Sequence, residues 1–181
     1  MKNILVISSS IRNGSNSELL AKRFTEGALS SGNHVDFVSL KGKNIQFCLG
    51  CLSCQKTGKC VLQDAANEIV EKMAKADVIV FATPIYYYEM SGQMKTLLDR
   101  ANPLYDSSER KFHDIYFIAT CADEDKHALD RAIQGLQGWI VCFDEVSLKG
   151  VIYGTGVNDP QEVSNQKDVL EQAFQMGQSI A

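Results

Sequence analysis

Short apolar runs alternate with helix-periodic segments along almost the whole chain, and that alternation leaves few folds open. The runs are residues 4–7, 35–38, 78–82 and 115–119, with a fifth at 146–152 that polar residues interrupt. Continuous apolar runs suit strands covered on both faces, whereas a half-exposed strand alternates apolar and polar positions. Between the runs the spacing becomes that of a helix: Leu20, Phe24 and Ala28, then Ile69 and Met73, then Met94, Leu97, Leu98 and Ala101. Later come Leu129, Ile133, Leu136 and Ile140, and finally Leu170, Phe174 and Gly177. Strict alternation implies right-handed crossovers and a parallel sheet with helices on both faces. Residues 1–181 are therefore expected to form a single α/β domain, a three-layer sandwich whose one core suits a chain of this size.

Five strands in such a sandwich match the flavodoxin-like order 2-1-3-4-5, in which ligands bind beyond the C-terminal strand ends near the switch point between strands 1 and 3. Function is then expected in the loops after the first, third and fourth strands. Residues 102–111 and 154–166 read as longer surface loops, and residues 41–63 form the one large departure from short connections.

The loop after the first run reads Ser8-Ser9-Ser10-Ile11-Arg12-Asn13-Gly14-Ser15-Asn16-Ser17, and a helix follows. Backbone N–H groups at a helix start, with hydroxyls, an amide and one guanidinium beside them, suit a phosphate monoester. Ser15 and Glu18 also form an S-x-x-E capping box, which needs no ligand. Neither the dinucleotide fingerprint nor the Walker pattern occurs, so the loop fits a mononucleotide.

After the third run the chain continues Thr83-Pro84-Ile85-Tyr86-Tyr87-Tyr88-Glu89-Met90-Ser91-Gly92, then Lys95, Asp99 and Arg100. Consecutive aromatics at a strand end can wall a planar ring, although taken alone they are more often rim packing. Together the two loops resemble the NAD(P)H-dependent FMN reductase family, through Pro84, Tyr86, Ser91, Gly92, Lys95, Asp99 and Arg100 in the second and Ser10, Arg12, Asn16 and Ser17 in the first. Ser9, Ile11 and Ser17 depart from that family's glycine, proline and threonine. The resemblance implies FMN with its phosphate at Ser10, Arg12, Ser15, Asn16 and Ser17. It places the ring against Pro84, Ile85, Tyr86 and Tyr87, with Ser91 and Gly92 in the same loop and Thr120, Cys121 and Ala122 on the ring's far side. NAD(P)H would supply hydride to the flavin, so no catalytic side chain is demanded and the scattered His34, His113 and His127 need no role.

Cys48, Cys51, Cys54 and Cys60 follow a C-x2-C-x2-C-x5-C pattern. Four thiolates so spaced can hold a [4Fe–4S] cluster, as compact spacings do in ferredoxins, and the loop resembles that of iron–sulfur flavoproteins. The competing reading, placed ahead of it, is the cysteine-rich loop that many reductases of the resembled family carry without a cluster. Disulfide pairing under oxidant is a third. Cys121 and Cys142 read as small buried apolar residues.

A net charge of -4 with no cluster of Lys and Arg argues against nucleic acid as a partner. No run is long enough to span a bilayer, and the first apolar run is shorter than a secretory segment, so a cytoplasmic location with reduced thiols is expected. The leading reading is an FMN-dependent oxidoreductase carrying electrons from NAD(P)H to a small acceptor: a flavin, a quinone, or an azo or nitro aromatic. The resemblance further implies a homodimer or homotetramer. Alternatives are an iron–sulfur flavoprotein electron carrier and a non-enzymatic anion- or flavin-binding module. A phosphatase or arsenate reductase is set aside, because no cysteine stands six positions before an arginine.

Overall fold

The structure, a computed structural model, describes residues 1–105 and 107–181. Its strands are β1 (Asn3–Ser8), β2 (His34–Ser39), β3 (Val78–Tyr86), β4 (Glu89–Met90), β5 (Asp114–Thr120) and β6 (Ser147–Gly154). Five run parallel in the order β2-β1-β3-β5-β6, the doubly wound arrangement the alternation predicts. The sixth, β4, is a short antiparallel return of β3 that pairs Ile85 with Met90 and Tyr86 with Glu89. It had no counterpart in the sequence reading, since two residues are too few to show a period.

Buried on both faces, each central strand sends successive side chains to opposite layers. Ile4, Val6, Val78 and Val80 meet Leu20, Phe24 and Ala28 of α1 (Asn16–Ser30) and Ala173 of α6 (Lys167–Gln178). On the other face, Leu5, Ile7, Ile79 and Phe81 meet α3 (Ala65–Lys75), α4 (Gly92–Arg100) and α5 (Asp130–Ile140). The short α2 (Ser53–Thr57) lies within the cysteine loop. The only tryptophan, Trp139, stacks on Phe112 and meets Phe81 edge-on at 5.7 Å.

Helices α1 and α6 touch backbone to backbone. A Cβ on Gly27 would lie 2.0 Å from the Phe174 carbonyl oxygen, and one on Gly177 would lie 2.0 Å from that of Phe24. Both positions exclude any side chain, and the contact locks the C-terminal helix over the start of the sheet.

Two expected surface loops are built differently. Residues 102–111 open with the 3-10 turn Asn102–Leu104, which buries Leu104. Asp106 of that stretch lies outside the described residues. Residues 154–166 form a packed strap with its own 3-10 turn, Glu162–Asn165, and they bury Val157 and Val163.

Candidate functional site

At the C-terminal edge of the parallel strands, the loops after β1, β3 and β5 meet around one open cavity of about 320 Å³. Its lining includes Ser10, Arg12, Ser15 and Asn16 from the first loop and Pro84, Ile85, Tyr86 and Tyr87 from the second. Thr120, Cys121 and Ala122 complete it from the loop after β5. The sheet order brings these segments together, because β1 and β3 are neighbours whose following connections leave in opposite directions.

Local chemistry fixes each wall. Ser15 caps α1, its hydroxyl accepting from the Glu18 N–H at 3.3 Å, so the helix starts at Asn16. The first N–H groups of α1 have no intrahelical acceptor and carry the positive end of the helix dipole, which suits an anion. Arg12 is exposed and donates from Nη1 to the Asn158 carbonyl at 2.6 Å. Beneath the cavity, the buried hydroxyls of Ser9 and Ser91 share a hydrogen bond of 2.8 Å, and Ser91 N–H donates to Thr83 Oγ1 at 3.0 Å. The first and second loops are thereby joined from below. Burial pushes the Cys121 thiol up, and it donates to the Asp123 carbonyl at 3.3 Å, leaving a neutral sulfur at the cavity wall.

The second loop turns through Tyr87 and Tyr88, whose φ angles of 51° and 66° are left-handed. Positive φ at both central positions of the two-residue turn between paired Tyr86 and Glu89 is the type I′ hairpin geometry, where Asn-Gly is the usual choice. Tyrosines there are strained by about 1–3 kcal/mol each. Tyr87 ends up 98% exposed at the cavity mouth.

Three residues named by the sequence reading, Ser17, Ser91 and Gly92, are not among those lining this cavity. Ser17 is fully buried, with its hydroxyl 3.1 Å from that of Ser15. Ser91 caps α4 beneath the floor, accepting from Met94 N–H at 3.4 Å. Gly92 borders a separate cavity with Leu40 and Phe47. Conversely, Val157 and Asn158 line the main cavity and were not anticipated. The one available signal was a pair of valines, Val157 and Val163, inside an otherwise polar loop.

The four clustered cysteines share a second cavity of about 310 Å³, with Asp99 and Asn102 at the C-terminal end of α4. Gly50, Leu52 and Gly58 adopt left-handed φ angles of 62°, 56° and 70°, and these bends curl the loop around that hollow. Donors from three residues face the sulfurs. Asn102 Nδ2 donates to Cys54 Sγ at 3.0 Å and Gly50 N–H to Cys48 Sγ at 3.4 Å. The backbone and hydroxyl of Ser53 hold the Cys51 thiol below its ordinary pKa. Among the described residues, no three His, Cys, Asp or Glu side chains converge closely enough for a single metal ion.

Both ends of this loop are held by Arg100, which is buried against Asp64 with a shortest contact of 2.6 Å. Arg100 also donates to the carbonyls of Gln46 and Leu62 and to Asn67 Oδ1. Burial alone would raise the Asp64 pKa, but Arg100 and the N–H groups of Gln46 and Ala66 hold it below the ordinary carboxylate value.

Residues 2–151 match the family model described as NADPH-dependent FMN reductase. The chain belongs to that family. Its members are oxidoreductases whose cofactor is FMN and whose electron donor is a reduced nicotinamide. An iron–sulfur flavoprotein of Methanocaldococcus jannaschii is 37% identical over 101 residues, covering 56% of this chain and 52% of its own length. The chain spans about half the length of the iron–sulfur flavoproteins it matches first, 52% and 46%. A Bacillus subtilis protein described as an NAD(P)H-dependent FMN-containing oxidoreductase is 27% identical over 180 residues, covering 96% of this chain and 95% of that one. Among solved structures, an NAD(P)H:quinone oxidoreductase from Methanothermobacter marburgensis superposes with a TM-score of 0.74 at 17% identity, covering 98% and 94% of the two chains. An azoreductase from Bacillus anthracis gives 0.74 at 13%, covering 99% and 100%. At these identities the likeness shows the flavodoxin-like fold.

Proposed function

We propose that this FMN reductase family member takes electrons from NAD(P)H and delivers them to a small aromatic or quinonoid acceptor: a free flavin, a quinone, or an azo or nitro aromatic. The observation that carries the reading is the cavity where the loops after β1, β3 and β5 meet. It combines a helix start, hydroxyls and Arg12 at one end with Pro84, Ile85, Tyr86 and Tyr87 at the other. FMN fits that donor set, a phosphate at the polar end and a planar ring along the aromatic end. When bound, the flavin supplies the hydride-accepting and electron-donating chemistry. The protein's own residues bind and orient. Ser10, Arg12, Ser15 and Asn16 surround the phosphate end, and Tyr86 and Tyr87 leave the ring's outer face open to a second planar molecule. The buried Cys121 thiol and Thr120 close the inner side. The same reading takes residues 1–181 as one flavin-binding domain in a cytoplasmic homodimer or homotetramer, which size-exclusion chromatography tests.

FMN titration of the purified protein, followed by anaerobic bleaching of the flavin absorption with NADPH and NADH in turn, tests the function. Protein that binds no flavin, or bound flavin that neither nicotinamide bleaches, refutes it.

A second reading rests on a different observation: all four clustered cysteines line one hollow and hydrogen-bond donors face three of their sulfurs. A [4Fe–4S] cluster takes one thiolate at each of four separate irons, so its ligands surround a volume instead of converging on one ion. Cys48, Cys51, Cys54 and Cys60 would hold it, and it would supply one-electron transfer. The iron–sulfur flavoproteins among the relatives support the idea. Anaerobically purified protein carrying iron and acid-labile sulfide would establish it, and protein that is simply yellow would refute it.

A further inference from the structure

The strap at residues 154–166 forms part of the cavity, and its attachment falls on one first-loop side chain. Asn16, only 7% exposed, donates from Nδ2 to the Asp159 carbonyl at 2.9 Å. Its Oδ1 accepts from the Val163 N–H at 3.2 Å. A primary amide is suited to this, since it offers a donor and an acceptor a short distance apart, whereas a carboxylate or an aliphatic side chain lacks one or both. The strap is also closed on itself. Glu162 Oε2 accepts from the N–H groups of Asn158 and Asp159 at 2.6 and 2.9 Å. Val163, fully buried, anchors the turn in the α1/α6 core.

We propose that Asn16 is a positioning residue, holding the strap against the first loop so that Val157 and Asn158 close one wall of the flavin cavity. The inference rests on the flavin reading and alters one role within it. The family resemblance puts Asn16 on the phosphate, whereas the structure commits both ends of its amide to the strap. Its effect on flavin binding therefore passes through the position of Val157 and Asn158, which line the cavity. Glu162 acts on the same wall from the other side. Its carboxylate organises the backbone of residues 158 and 159, including the carbonyl of Asp159 that Asn16 grips and that of Asn158 that Arg12 grips.

FMN and riboflavin, which lacks the phosphate, are titrated against deflavinated wild type, Asn16→Ala, Glu162→Ala and the double variant. Asn16→Ala is expected to weaken both flavins, roughly tenfold for two lost hydrogen bonds. Glu162→Ala is expected to weaken both as well, although removing a negative charge would by itself favour the phosphate. The double variant should lose less than the product of the two single losses, because both changes release one strap. A glutamate-specific protease should cut after Glu162 faster in Asn16→Ala than in wild type. Weaker FMN with unchanged riboflavin would make Asn16 a phosphate ligand and overturn the proposal. So would unchanged affinity for both flavins, or losses that multiply independently. Should Asn16→Ala fail to fold, Glu162→Ala carries the test, since Glu162 is partly exposed and lies outside the core. Wild type that binds neither flavin overturns the flavin reading itself, and this inference with it.

Discussion

Arg100→Met probes the element that holds the cysteine loop in place. The Arg100 and Asp64 side chains are 0% and 2% exposed. The guanidinium makes two hydrogen bonds to the carboxylate, at 2.6 and 3.0 Å, and further ones to the carbonyls of Gln46 and Leu62. Methionine fills much of the space but strands a buried carboxylate, and removing one partner of a buried pair costs about 3–5 kcal/mol. That is a large share of a total stability of about 5–15 kcal/mol. Urea unfolding followed through Trp139, the only tryptophan, should show a correspondingly lower midpoint. The double variant Asp64→Asn/Arg100→Met should recover part of the loss, because a neutral amide can still accept from Ala66 N–H at the start of α3 without an uncompensated charge. The pair also gives a pH signature. The folded Asp64 pKa is depressed, so its contribution is fully present above the ordinary carboxylate value of about 3.9 and is lost as pH falls through the lower folded value. Wild type should therefore lose part of its advantage over the double variant in strong acid. A loss under about 1 kcal/mol in Arg100→Met, or a double variant as unstable as the sum of the singles, would refute the reasoning.

Other substitutions test other parts of the fold. Gly27→Ala or Gly177→Ala puts a Cβ onto a carbonyl oxygen of the facing helix and should cost about 1–3 kcal/mol, outweighing the roughly 1 kcal/mol gain in helix propensity; a raised urea midpoint would contradict the packing. Replacing Tyr87-Tyr88 with Asn-Gly should raise the melting temperature by relieving two left-handed tyrosines, while reduction of planar aromatic acceptors slows. Unchanged turnover would take Tyr87 out of the acceptor site. In reduced, metal-free protein near neutral pH, iodoacetamide should modify Cys51 first and Cys121 last, since hydrogen bonds from Ser53 favour the thiolate at one and burial disfavours it at the other. Peptide mass mapping reads the order.

What the sequence disclosed and what it hid divide along a physical line. The sheet order was legible because a strand buried on both faces must be apolar throughout, and residues 4–7 and 78–82 satisfy that without any partner being known. The first two loops were legible because anion binding and ring stacking demand particular residue types next to a strand end. Side chains that join the same loops from inside were not legible, for the converse reason. Ser17 and Ser91 belong to types that also bind phosphate, and only the packed structure shows that they bond to Ser15 and to Ser9 and Thr83. Pairings between distant segments left no local trace. Asp64 and Arg100 stand 36 residues apart, and only the packing of α3 beside α4 pairs them. The strap was hidden most fully, because Gly156, Asn158, Asp159 and Pro160 are turn formers that read as solvent-exposed loop. Val157 and Val163 were the exceptions that physical reasoning could have used. Two apolar residues in a polar loop need something to cover them, and in this fold the nearest available cover is the core beside α1 and the cavity at its N-terminus. The strap therefore belongs to the site for the same reason that it folds: burying its valines brings its backbone within reach of Asn16 and Arg12, and the cavity gains a wall.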